Sequence, residues 1–152
     1  SPVELAITGK YGWGKDVLHL KKPCIKILGY IPEKDMVALH ASALFLAYPS
    51  LYEGFGLPVI KSMKVGVPVL TSNISSMPEI VGKSGLLVNP RSVENIYQGI
   101  YKLLSSASLR KQLSESARTL AAKFSWDQTA LETLEVYKYI NNINNLKLSA
   151  KS

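Results

Sequence analysis

The chain has 152 residues, 47% of them hydrophobic and 19% charged, a balance that excludes a chain disordered throughout and suits one folded domain with a sizeable core. Eighteen Lys and Arg against eleven Asp and Glu give a net charge of +7, which favours anionic partners without choosing among nucleic acid, nucleotide phosphates and acidic lipid. The single cysteine, Cys24, excludes an intramolecular disulfide and a thiolate zinc cluster, and no apolar run approaches the roughly 20 residues of a membrane-spanning helix.

A cytoplasmic protein is the expectation. The sequence opens without a Met, directly in a strand-like run, so it reads as a piece of a longer protein.

Five short apolar or β-branched runs follow one another at residues 3–8, 25–28, 44–47, 67–71 and 86–88. Each is continuous rather than alternating, the mark of strands buried on both faces of a parallel sheet. Between them lie helix signals: Glu33, Lys34 and Asp35 lead into Met36, Val37 and Leu39, and Pro58 stands where a first helical turn accepts proline. The order predicts a doubly wound, Rossmann-like α/β domain.

Three helices are predicted after residue 88. Ser92 caps the first, with Val93, Ile96, Ile100, Leu103 and Leu104 as its apolar stripe; Leu109, Leu113 and Leu120 mark the second. Ser125 and Gln128 form a capping-box pair before the third, which runs through Leu131, Leu134 and Tyr137. Residues 1–140 form one domain in this reading, and the polar, asparagine-rich residues 141–152 a frayed tail.

One segment differs from scaffold: Pro49-Ser50-Leu51-Tyr52-Glu53-Gly54-Phe55-Gly56-Leu57-Pro58, between the third strand and a helix. Glycines on either side of Phe55 allow close backbone approach, and a helix start presents unpaired N–H groups and positive dipole. This is an anion site at a strand's carboxyl end, where α/β sheets bind ligands. A tight strand-to-helix turn with Glu53 near the helix start accounts for the same residues.

The segment Ser50 to Ile60, then Gly66-Val67-Pro68-Val69-Leu70-Thr71-Ser72-Asn73, Pro78-Glu79-Ile80-Val81-Gly82 and Gly85-Leu86-Leu87-Val88-Asn89-Pro90, resemble the carboxyl-terminal domain of GT-B glycosyltransferases of the group 1, family four type. The resemblance extends from Val3 to about Tyr137, and Phe124-Ser125-Trp126 is similar to the family's closing signature. It implies the second half of a GT-B enzyme, with the first βα unit and the amino-terminal, acceptor-binding domain outside this sequence. The implied reaction moves a hexose, mannose among the candidates, from a GDP- or UDP-linked sugar to a glycan or lipid-linked acceptor. It proceeds with retention and needs no metal or other cofactor.

Carried over residue by residue, Glu53 matches the first carboxylate of the family's E-x7-E motif, the catalytic position beside the donor sugar. Gly54, Phe55, Gly56, Leu57 and Pro58 match the turn that meets sugar oxygens and diphosphate. Tyr30 and Ile31 match the region framing the nucleoside. The second carboxylate of the motif is replaced by Lys61, which offers three donors and no acceptor. Three readings are open for it: donation to a ribose oxygen, a lean toward the diphosphate, or extension into solvent with Lys64. Lys10 is a candidate for part of the diphosphate neutralisation otherwise supplied by the missing upstream unit.

Ser76 and Glu79 have capping-box spacing, which assigns Glu79 a structural role. His19 and His40 stand alone on helical stretches and receive no role. Scattered lysines without an aromatic-rich basic motif argue against nucleic acid, and clustered metal ligands are lacking. The basic charge also suits peripheral contact with anionic lipid at the inner face of a membrane. The competing reading is a non-catalytic, degenerate nucleotide-binding module, which truncation and Lys61 would both suit.

Overall fold

The computed structural model describes residues 3–9 and 22–149. In chain order the elements are β1 (Leu5–Thr8), β2 (Ile25–Gly29), α1 (Glu33–Ser42), β3 (Leu46–Tyr48), α2 (Leu57–Lys64), β4 (Val69–Ser72), α3 (Met77–Val81), β5 (Leu86–Val88), α4 (Val93–Ser105), α5 (Ala107–Ala121) and α6 (Trp126–Ser149). All described strand pairs are parallel, as the continuous apolar runs predict. The third and fourth strands begin two residues later than expected.

Among the described residues the strands form two pieces rather than one hydrogen-bonded sheet: β1 pairs with β2, and β4 lies between β3 and β5. The pieces differ in burial. All four residues of β4 are buried, and the consecutive Val69 and Leu70 belong to different apolar clusters. Because successive side chains of a strand point to opposite faces, β4 is covered on both.

One cluster joins Val69 to Val59, Ile60 and Met63 of α2, Met77, Ile80 and Val81 of α3, and Ala117 and Ala121 of α5. The other joins Leu70 to Val88, Leu103 and Leu113, with Ile96 and Ile100 of α4 packed against it. Gly99 lets α4 lie directly on the strands, since a Cβ there would come 2.7 Å from both Leu70 Cδ1 and Val88 Cγ1.

The expectation that every strand is buried fails for β1 and β2. Three of the four β1 residues are exposed, and β2 alternates between half-buried and exposed; among the described elements the two strands make their main contacts with each other, and burial of a parallel strand needs helices on its faces.

The helix caps divide likewise. Ser92 Oγ accepts from the Asn95 amide at 3.1 Å, as predicted. Ser106, which sequence reasoning passed over, ends α4 and caps α5 by accepting from Leu109 N at 3.1 Å.

Ser125 accepts from the Gln128 amide at 3.3 Å, but the Gln128 side chain bonds Glu132 instead of reaching back, so the box is half made. From there α6 continues to Ser149, well into the stretch expected to fray. Its residues 126–142 are all exposed.

Candidate active site

The loop between β3 and α2 is shaped at Gly56, the residue that caps α2. Its φ of +98° is unfavourable for any residue with a Cβ. A Cβ there would also sit 2.3 Å from the Cε of fully buried Met77. Pro58 occupies the first turn of α2, where no intrahelical N–H is lost. The helix ladder begins with Val59 N and Ile60 N bonding Gly56 O at 3.0 and 3.3 Å. Upstream of these, the amides of Phe55, Gly56 and Leu57 have no hydrogen-bond partner among the described residues. Three unpaired donors, those of exposed Phe55 and Leu57 and of buried Gly56, therefore gather at the positive end of a helix.

Glu53 is half-buried beside this helix start. Its Oε1 accepts from Tyr48 Oη at 2.5 Å and from Ser50 Oγ at 3.1 Å. Its backbone is held as firmly: Ser75 Oγ accepts from Glu53 N at 3.2 Å and donates to Glu53 O at 2.7 Å, while Ser76 Oγ lies 3.1 Å from the same carbonyl and 3.3 Å from Phe55 O. Ser75 achieves this with a left-handed backbone, φ 60°.

These bonds correct the capping-box reading of Ser76 and Glu79. Ser76 does precede α3, but its side chain makes no cap bond, because the loop across the site takes the hydroxyl.

Lys61 is held by a partner within the chain rather than extended into solvent with Lys64. Its Nζ lies 2.5 Å from Glu33 Oε1, tying α2 to the first turn of α1. Glu33 directly follows Tyr30, Ile31 and Pro32, so Lys61 meets the predicted nucleoside-side turn through it. Tyr30 is exposed and Ile31 half-buried at the carboxyl end of β2.

His40 is buried near this pair, with Nδ1 lacking a partner among the described residues. Burial first, and the Lys61 charge second, hold its pKa below the usual 6.5, against a smaller opposing pull from Glu33. Lys10 and His19 lie outside the described residues.

Phe55 turns its ring edge-on to Phe124, centroids 6.1 Å apart at 79°. A shallow groove lined by Phe55, Leu57, Ile60, Lys64, Phe124, Ser125, Trp126 and Thr129 runs between the loop and the start of α6. Among the described residues no group of three His, Cys, Asp or Glu is placed to hold a metal.

The structure thus brings Glu53 and residues 54–58 into one site and ties Lys61 to Glu33, which follows the Tyr30–Ile31 turn in the chain. Tyr48, Ser75, Ser76 and Glu33 were missed as its supports. Apart from Ser50, three residues before Glu53, they come from other elements and carry no local signal.

A parallel α/β domain with a carboxylate and a helix start at one strand's carboxyl end has its candidate site where open α/β sheets bind ligands. Residues 17–120 match the family described as glycosyl transferases group 1, and the chain belongs to that family. It is 38% identical over 142 residues to O-antigen chain mannosyltransferase B of Escherichia coli, an alignment covering 90% of this chain and 37% of that protein. It is 36% identical over 112 residues to the MMP alpha-(1->4)-mannosyltransferase of Mycolicibacterium hassiacum, covering 71% of this chain and 27% of the relative.

Among solved structures, sucrose-phosphate synthase from Thermosynechococcus elongatus superimposes with a TM-score of 0.79 at 23% identity, covering 92% of this chain and 39% of that one. Anabaena Alr3699/HepE in complex with UDP-glucose gives 0.76 at 22%, covering 88% and 41%. These likenesses carry the GT-B glycosyltransferase fold. The chain spans less than two fifths of the length of the two relatives named.

Proposed function

We propose that this chain is the donor-binding domain of a retaining hexosyltransferase, mannose being the favoured sugar, which takes its hexose from a GDP- or UDP-linked donor. The observation that carries this reading is the pairing of Glu53 with the open amides of Phe55, Gly56 and Leu57. A diphosphate needs donors and positive potential, which the start of α2 offers. A sugar offers hydroxyls, which a carboxylate accepts, and the positive charge developing at the anomeric carbon is stabilised by the same group.

The family, the two mannosyltransferase relatives and the neighbour whose complex holds UDP-glucose support the reading. In this proposal a glycan or lipid-linked acceptor is held by an amino-terminal domain, no metal is required, and the protein works in the cytoplasm with peripheral contact to anionic lipid. Among the described residues, no helix is long and apolar enough to cross a membrane.

The Lys61–Glu33 pair favours a second reading, a module that has lost part of its nucleoside contacts and no longer transfers sugar. Calorimetric titration with GDP, UDP, ADP and their sugar conjugates at low salt names the nucleotide, and a sugar-transfer assay of the full-length protein separates the two readings. Preferential binding of one nucleotide, strengthened in its sugar conjugate, is expected. Nucleotide binding without sugar transfer by the full-length protein would favour the second reading, and no binding at millimolar ligand would overturn both.

A further inference from the structure

We infer that Tyr48 is a positioning residue for Glu53, fixing one carboxylate oxygen so that the other alone is offered to the ligand. The inference rests on the donor-site reading of Glu53 given above. Tyr48 ends β3, five residues before Glu53. Its carbonyl accepts from Thr71 Oγ1 of β4 at 2.8 Å, and the partly buried ring packs against the cluster built on α2 and α3. Backbone and ring are therefore both anchored in the sheet, and the hydroxyl is delivered from a fixed point.

That hydroxyl meets Glu53 Oε1 at 2.5 Å, and Ser50 Oγ meets the same atom at 3.1 Å. Among the described residues no donor reaches Oε2. Turning the carboxylate about its last bond would break both contacts, so its plane is set before any ligand arrives.

The consequence is chemical as well as geometric. A carboxylate with both oxygens free can accept from several directions, whereas one locked at Oε1 accepts at Oε2 alone. The group opposite Oε2 must be a donor, which makes it a hydroxyl and not a phosphate oxygen. A ligand carrying both kinds of group is read in one direction, hydroxyls toward Glu53 and anion toward the α2 amides.

The Tyr48 phenol suits this task. Burial, followed by its bond to Glu53 and the nearby charge, raises its pKa above the usual 10, so it remains a donor throughout the neutral range. A phenylalanine keeps the ring and removes only the donated bond.

The test is a double-mutant cycle in the full-length protein, using Tyr48→Phe, Glu53→Gln and both together, assayed for sugar transfer from the nucleotide sugar that titration selects. Tyr48→Phe is expected to lower kcat about tenfold, the worth of a bond to a charged group, with donor KM changed less than twofold. Glu53→Gln is expected to lower kcat further. Adding Tyr48→Phe to Glu53→Gln is expected to do nothing more, because the hydroxyl acts through the carboxylate. Thermal melts of all variants check folding.

A kcat unchanged by Tyr48→Phe while Glu53→Gln abolishes transfer would overturn the positioning role alone. So would equal losses from Tyr48→Phe in both backgrounds, the pattern of a purely structural effect. A Glu53→Gln protein with full kcat would instead overturn the donor-site reading itself.

Discussion

The ion pair of Lys61 with Glu33 is solvent-exposed on the Glu33 side, and such pairs contribute about 0–1 kcal/mol. The pair's two charges act in opposite senses on nearby His40, whose pKa is lowered first by burial. Since the folded pKa of His40 lies below the unfolded 6.5, the unfolded chain binds more protons in that window and stability rises with pH. Stability is expected to decline as pH falls through 6.5 and to level off once pH is below the folded value. Urea melts between pH 7.5 and 5 in the wild type and in His40→Gln read this directly, the variant giving the flatter profile. At this scale the sequence was legible where residues act locally: Glu53, Gly56 and Pro58 announce themselves as a glycine-bearing turn into a helix. Tyr48, Ser75 and Glu33 do not, since their roles come from partners 5, 22 and 28 positions away. The local pattern misled at Ser76, where a tertiary carbonyl outcompeted the helix end for one hydroxyl.

Helix α2 is held at both ends by hydroxyls and cations from elsewhere in the chain. Ser75 and Ser76 clasp the loop before it. At its far end Ser114 Oγ of α5 donates to Gly66 O at 2.5 Å, and Arg118 donates to Val65 O at 3.1 Å. Those carbonyls follow the negative end of α2, so the guanidinium also complements the dipole. Ser114→Ala is expected to destabilise the domain by about 1 kcal/mol, which for a chain of this size lowers Tm by about 2–4 °C. Nucleotide affinity measured by calorimetry is expected to stay within twofold, because the site lies at the opposite end of the helix. Most elements were legible from their periodicity, and β4 most clearly, since burial on both faces demands an unbroken apolar run. The exposed β1 and alternating β2 show the limit: a run such as Val3-Glu4-Leu5-Ala6-Ile7 is apolar enough for a buried strand, yet burial depends on neighbours that the run does not encode.

Across the whole molecule the apolar clusters gather around β3, β4 and β5, with α2, α3, α4 and α5 packed on them, while among the described residues the β1–β2 piece makes no strand pairing with that body. The strongest contrast is α6, 24 residues and therefore about 36 Å long. Its exposed Trp126, Leu131, Leu134, Val136, Tyr137, Tyr139 and Ile140 gain nothing from the core, and helices draw most of their stability from packing. Hydrogen exchange in the isolated chain is expected to expose this as two separate opening units. Amides of α6 should exchange through local fraying at a rate insensitive to denaturant, and those of β4 only through global unfolding. Matching protection in α6 and β4 would show that the long helix shares the body's cooperativity after all. With two units, a calorimetric trace would record less enthalpy in its main transition than 152 residues suggest, because α6 would have melted before that transition began.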